Sequence, residues 1–188
     1  MLLLPQQIQN ILAQQAISDA LPWAKNDRKI VDDFYRGLID KICSVTGCLA
    51  KVVWNDYGSG YASYIDAWLY KPNDEFSLKS TQSDVECYTG LVVLLSRLSP
   101  YYVFMEGEKQ WHSRGGSSYL PEFSMLDIFQ TTAVNILAAQ VQETLHAAGL
   151  VRLKKSDISS PMPEDFSVPT NLADGDFTEF DAIFHWED

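Results

Sequence analysis

Four groups of residues in this 188-residue chain have types and spacings that could do chemistry. Cys43 and Cys48 are half of a thiolate metal site. Zinc takes three or four convergent sulfur or nitrogen ligands, and no second Cys or His pair stands at a useful spacing. Cys87 with His112 or His146 has the composition of a nucleophile and its base. Such a thiol needs surroundings that depress its pKa, and the residues around Cys87 carry no such signature. The run Ser113-Arg114-Gly115-Gly116-Ser117-Ser118 offers glycine N–H groups to an anion but lacks the Gly-x-x-x-x-Gly-Lys of a phosphate loop. Its composition suits a flexible loop between a strand and the next helix. Asp174, Gly175, Asp176 and Glu179 begin like a calcium loop, yet the twelfth position from Asp174 is His185, where an EF-hand requires Glu. The sequence therefore implies no catalytic residue, no metal and no cofactor, and its cysteines read as small buried hydrophobes.

Charge is the stronger signal. Nine of the 25 carboxylates lie in the last thirty-three residues, Ser156 to Asp188, which contain no Lys or Arg. The preceding 155 residues hold 16 acids against 14 bases, so the tail carries most of the net charge of -11. A block of one sign must be solvated, folded against something basic, or directed at a cationic partner, because crowded like charges repel and cannot be buried unpaired. Phe166, Phe177, Phe180, Phe184 and Trp186 interrupt the acids, which argues for an ordered segment, since solvating tails are poor in aromatics. The acidic balance disfavours nucleic acid, whose phosphates would be repelled, and favours a basic protein.

With 46% apolar and 12% aromatic residues the chain can bury a substantial core, most simply as one domain over residues 1–188 that includes the acidic segment. Met1 to Pro5 lacks the basic region of a signal peptide, no stretch approaches the roughly 18 apolar residues of a membrane span, and the cysteine count is odd. These features point to a reduced, cytoplasmic protein.

The elements that would position these residues follow from periodicity. Ile8, Ile11, Leu12 and Ile17 form one stripe of a helix over Pro5 to Ala20. Ile30, Phe34, Leu38 and Ile42, four apart behind an Asp27 N-cap, give a helix from Asp27 to about Cys43 stopped by Gly47. Leu49–Trp54 and Tyr61–Tyr70 read as a hairpin, extended by a short strand at Phe76 to Lys79. Val85 to Leu98 suits either period; a capping box formed by Ser83 and Glu86 favours helix. Tyr101 to Trp111 alternates as a strand, and a long helix begins near Ser124 and Asp127 and ends at Ala147 before Gly149. Val151 to Lys155 suits a short strand, and Phe177 to Trp186 a last one, with Phe180, Ala182, Phe184 and Trp186 on one face and Glu179, Asp181, Ile183 and His185 on the other. The expected class is α+β, helices packed on a small, mainly antiparallel sheet.

Two stretches, Leu-Leu-Ser-Arg-Leu-Ser-Pro-Tyr-Tyr-Val-Phe-Met-Glu-Gly-Glu-Lys-Gln-Trp (Leu94 to Trp111) and Phe-Thr-Glu-Phe-Asp-Ala-Ile-Phe-His-Trp-Glu-Asp (Phe177 to Asp188), resemble the bacterial immunity proteins of polymorphic-toxin systems. In that group single α+β domains often end on an aromatic strand followed by acids. The resemblance implies a non-enzymatic cytosolic inhibitor that occludes a cognate toxin domain. Electrostatics suit that role, because acids can steer a basic cleft while a few desolvated aromatics supply most of the affinity. The candidate contacts are Asp174, Asp176, Glu179, Asp181 and Glu187, with Tyr57, Tyr61, Tyr119 and Trp186 as anchors. An acidic adaptor or secretion chaperone that binds client segments, and a small hydrolase using Cys87, are the alternatives.

Overall fold

The computed structural model describes residues 2–78, 85–112, 115–173 and 175–187, and of His112 the backbone alone. Asp27 accepts hydrogen bonds from the N–H groups of Lys29 and Ile30 and opens α2 (Arg28–Thr46), while Gly47, at φ 68°, closes it in the left-handed region that glycine enters without steric penalty. Val31, Tyr35, Leu38, Ile39 and Ile42 form its buried stripe. An earlier helix, α1 (Pro5–Leu12), is shorter than its apolar pattern suggested. The chain leaves it at Gln14, at φ 57°, and the Asn26 side chain accepts the Ala16 N–H instead.

A six-stranded sheet forms the centre, in the order β1 (Leu49–Val53), β3 (Tyr64–Tyr70), β4 (Glu86–Ser96), β5 (Tyr101–His112) and β6 (Gly115–Ser118), all antiparallel, with β7 (Val151–Arg152) parallel to β5. A second, two-stranded sheet pairs β2 (Tyr61–Ala62) with β8 (Trp186–Glu187). The hairpin expected of residues 49–70 is thus present, with β2 split from β3 to join the C-terminus. Of the strand expected at Phe76 to Lys79, the described residues 76–78 form one bridge, between Ser77 and Tyr88, and Lys79 lies outside the described residues.

Residues 85–98, expected to be helical, form the central strand β4. Leu91 to Leu95 are all buried, as a strand sandwiched on both faces requires, and a continuous apolar run contains helical spacing by coincidence. Glu86 lies opposite Trp111 as the first residue of that strand, and Ser83 lies outside the described residues. The Arg-Gly-Gly-Ser segment, expected to be a loop, is the edge strand β6 over its described part. Gly116 is there for close approach, since a Cβ would stand 2.2 Å from the Gln110 carbonyl oxygen.

Face assignment follows from strand alternation and register. Thr89, Leu91 and Glu106 share the face covered by α3 (Thr132–Ala147), which packs on α2 and β4. Asp66, Trp68, Val92 and Met105 share the other face. That second face has a trough at the cross-strand glycine pair Gly90 and Gly107. Trp68 lies over it, donating its indole N–H to the Gly107 carbonyl at 2.8 Å. A Cβ at Gly90 would come within 2.6 Å of the indole nitrogen, and one at Gly107 within 2.4 Å of the Tyr119 ring.

Helix α3 starts later than Ser124 or Asp127 suggested, and Glu106 supplies the reason. Its carboxylate accepts the N–H groups of Gln130 and Thr131 and the hydroxyls of Thr89 and Thr131, capping the helix from the sheet. Asp127, at φ 59°, turns away to accept from Arg152 at 2.6 Å and from the Lys155 N–H at 2.7 Å.

The C-terminal residues also differ from expectation. Glu179–Ile183 is a short helix, α4, because Thr178 donates both its N–H and its hydroxyl to Asp181, a capping signature written in the sequence as Thr-x-x-Asp. The turn brings Phe180 and Phe184, four apart, to a ring separation of 5.4 Å and places them in the core. No described helix is long and apolar enough to cross a membrane.

Candidate protein-docking site

The site begins with a turn under strain. Asp56 and Tyr57 are consecutive non-glycine residues in the left-handed region, at φ 52° and 58°, a conformation that persists only where surrounding contacts enforce it. Arg97 enforces it. This guanidinium, 4% exposed, donates to Asp32 at 3.0 Å, to Asp56 at 2.9 Å, and to the carbonyls of Ala62, Tyr64 and Trp54 at 2.8 to 3.0 Å. Arg28 holds the second Asp56 oxygen at 2.8 Å from the half-exposed side. A planar fork with five donors satisfies five acceptors here in a way that an ammonium could not.

The enforced turn aims the Tyr57 hydroxyl at Asp66, 2.8 Å away, where Tyr119 also donates, at 2.6 Å. Asp66 is a buried carboxylate without a cation inside salt-bridge distance among the described residues. Burial moves it above the ordinary carboxylate range, against the pull of the Tyr119 hydrogen bond, the Lys109 charge and the Tyr57 hydrogen bond. Burial likewise raises both tyrosine hydroxyls, and the adjacent Asp66 raises them further, so they remain donors. Replacing Asp66 with alanine should cost about 2 kcal/mol by taking the acceptor from the Tyr119 hydroxyl and leaving the Tyr57 hydroxyl with the Tyr64 hydroxyl, 3.2 Å away, as its partner. Asp66→Asn should cost less than half of that, and denaturant titration of both variants distinguishes the cases.

On its outer side Tyr57 packs against Trp186, ring centroids 4.9 Å apart. Trp186 donates its indole N–H to the Ser59 carbonyl, Tyr61 pairs with Glu187 across the two-stranded sheet, and the Tyr61 ring lies 5.6 Å from that of His185. Burial pushes the Tyr61 hydroxyl up to about 12 against the opposing charges of Arg97 and Arg28. Tyr57, Tyr61, Trp186 and Glu187 thus form one half-exposed patch, joined to Tyr119 through Asp66. Of the five acidic contacts, Glu187 belongs to this patch and Asp176 is exposed on the neighbouring loop. Asp174 lies outside the described residues.

Two of the acids have other work. Glu179 is fully buried and accepts the Leu3 N–H at 2.7 Å, fastening the N-terminus to α4. Asp181, 6% exposed, is spent on the Thr178 cap. Both are corrected from partner contacts to structural residues, because the helical turn points inward the side chains that an alternating strand would have pointed out. The calcium-loop reading falls with Glu179, and no group of three or more His, Cys, Asp or Glu among the described residues is arranged to hold a metal ion. Burial moves the Cys87 thiol upward, opposite to what a nucleophile needs.

The acidic segment is nonetheless ordered against this patch. Asn171 donates its N–H to the Trp186 carbonyl at 2.7 Å, Met162 to Phe177 at 2.7 Å and Glu179 to Ser160 at 3.0 Å. Phe166 and Leu172 pack on the core. Asp157, Glu164, Asp165 and Asp176 face solvent, and no described carboxylate after Ser156 pairs with a Lys or Arg.

Acid should loosen the assembly in two stages. His185 is buried, gives its Nδ1 proton to the Ala182 carbonyl, and has its pKa lowered by burial, so folding favours the neutral ring. That contribution is complete above the unfolded value of about 6.5 and fades as pH falls through the lower folded value. Burial alone would raise Glu106, but hydrogen bonds from Thr131, Thr89 and the two N–H groups outweigh it and hold it below the carboxylate range. Its share is complete above about pH 4.3 and is lost below that. Asp66, shifted the other way, adds stability as pH falls through its raised folded value to the unfolded value of about 3.9, so it opposes the earlier, histidine-driven loss rather than the later one. Thermal melts should therefore fall below about pH 6.5, and Glu106→Gln should flatten the steeper fall below about pH 4.3.

Fold and site together define a single α+β domain carrying an aromatic patch beside a hydrogen-bonded acidic loop. Compared with models of known protein families, with curated proteins and with solved structures, the chain matches none.

Proposed function

We propose that the chain is a non-enzymatic inhibitor of the immunity-protein kind, which binds a basic toxin domain in the cytoplasm and occludes it stoichiometrically. The observation that carries the reading is the solvent-facing set Asp157, Glu164, Asp165 and Asp176, unpaired with cations and held on a folded segment tied to Trp186. Carboxylates fixed in this way steer a basic surface into contact, and the Tyr57–Tyr61–Trp186 patch supplies apolar area that is desolvated on docking. Exposed ion pairs contribute only about 0 to 1 kcal/mol each, so the aromatics account for most of the affinity and the acids for the speed. A toxin reading frame adjacent to the gene provides the test. Its product should be lethal when expressed alone, harmless when this protein is co-expressed, and recovered with it as a 1:1 complex. Lethality undiminished by co-expression would overturn the proposal.

The adaptor reading has one observation in its favour. A groove of about 650 Å³ runs beside β5, lined by Tyr119, Met125, Ile128, Gln130, Glu108 and several serines, with space for an extended client segment. Client peptides that bind at this groove, leaving the Trp186 patch free, would favour it.

A further inference from the structure

We infer that Cys43 and Cys48 form an oxidisable thiol pair that closes into a disulfide at the corner between α2 and β1. Their Sγ atoms stand 3.8 Å apart, in contact as free thiols. A disulfide needs about 2.05 Å, so the two side chains must turn toward each other to close the remaining gap. The backbone around the pair is already fixed. Gly47 donates its N–H to the Cys43 carbonyl at 2.9 Å, Thr46 donates its hydroxyl to Ile42 at 2.8 Å, and the same hydroxyl accepts the Cys48 N–H at 3.3 Å. Among the described residues no further ligands converge to make the pair a metal site, so two-electron oxidation is the chemistry this arrangement offers.

Exposure sets the order of events. Cys48 is 3% exposed, whereas Cys43 is half-buried and is the thiol that a reagent can reach. A low-molecular-weight disulfide such as oxidised glutathione is the oxidant. The Cys43 thiolate attacks one of its sulfurs and expels one glutathione thiolate, which takes up a proton. Cys48 then loses its proton, attacks Cys43 Sγ, and releases the second glutathione. The protein loses two protons and two electrons, and the reagent gains both. Burial, reinforced by the neighbouring Cys48, pushes the Cys43 thiol up to about 12, so attack is slow at neutral pH. The product ties the last turn of α2 to the residue that precedes β1 and raises thermal stability by restricting the unfolded chain.

The test exposes the folded protein to oxidised glutathione, counts thiols and maps peptides. The Cys43 and Cys48 thiols should disappear together, giving a Cys43–Cys48 linked peptide lighter by about 2 Da and a melting temperature raised by a few degrees, while the half-buried Cys87, with no thiol beside it, is left free or as an unresolved glutathione adduct. Cys48→Ser should stall as a stable glutathione adduct on Cys43. Three thiols persisting in the native protein, an adduct on Cys43 that never resolves in the unsubstituted chain, or linkage through Cys87 would each overturn the inference. None of these outcomes depends on the toxin reading.

Discussion

Replacing Arg97 with alanine will destabilise the fold by about 3 to 5 kcal/mol, the range for removing one partner from a buried ion pair. The substitution takes from Asp32 and Asp56 their buried cation, leaving them the half-exposed Arg28 at 3.7 and 2.8 Å, and removes the donor that Arg97 gives to the carbonyls of Ala62 and Tyr64, while the Trp54 carbonyl keeps its bond from Arg28. Arg28 cannot substitute, since it reaches Asp56 from a side chain 41% exposed, where water screens the pair. Arg28→Ala should accordingly cost about 1 kcal/mol or less. Arg97→Lys keeps the charge but not the fork, and should fall between the two. The same loss reaches the aromatic patch proposed for docking, because the left-handed Asp56–Tyr57 turn depends on Arg97 for its enforcement. Equilibrium unfolding in urea of the three variants provides the comparison.

Trp186→Ala should weaken the complex with the partner by about 2 to 4 kcal/mol, a loss of roughly 30- to 1000-fold in Kd. The indole is half-exposed, packed at a tilt against Tyr57 and aligned by its hydrogen bond to Ser59, so on the proposed docking it is already ordered and gives up little entropy. Most of the change belongs in dissociation rather than association. Trp186→Phe retains an aromatic face and should recover a large part of the affinity. Calorimetric titration with the variants, their folding checked by circular dichroism, separates lost contact from lost structure.

Helix α2 was legible because three signals agree over nineteen residues: a four-residue apolar spacing, the Asp27 cap and the Gly47 stop. The hairpin of β1 and β3 and the strand β5 were legible for similar reasons. Where local signals conflict, the outcome is decided by tertiary contact. Residues 85–98 are apolar enough to fit either period, and burial on both faces makes them a strand. Phe177 to Trp186 alternates well, yet Thr178 and Asp181 cap a helix, and packing of Phe180 beside Phe184 completes it.

The same distinction governs the site. Tyr57, Tyr61, Trp186 and Glu187 converge as a group. Glu179 turns inward because its partner is the N–H of Leu3, 176 residues earlier, a contact that no local pattern encodes. Asp66, Arg97 and Asp56 escaped notice although a signal existed. Asp66 stands within Tyr-Ile-Asp-Ala-Trp-Leu-Tyr and Arg97 within Leu-Leu-Ser-Arg-Leu, and a lone charge inside an apolar run must find a buried partner. Glu106 is a similar case, recognisable afterwards as a cap for α3 supplied from the sheet.

Electrostatic capture of a basic partner is tested most directly by stopped-flow association, at low and at physiological ionic strength, with the toxin domain that the co-expression test identifies. Exchanging Asp157, Glu164, Asp165 and Asp176 for Asn or Gln together should slow association about tenfold or more at low salt, leave dissociation nearly unchanged, and abolish most of the salt dependence. An association rate that neither salt nor these four exchanges alters would contradict the account.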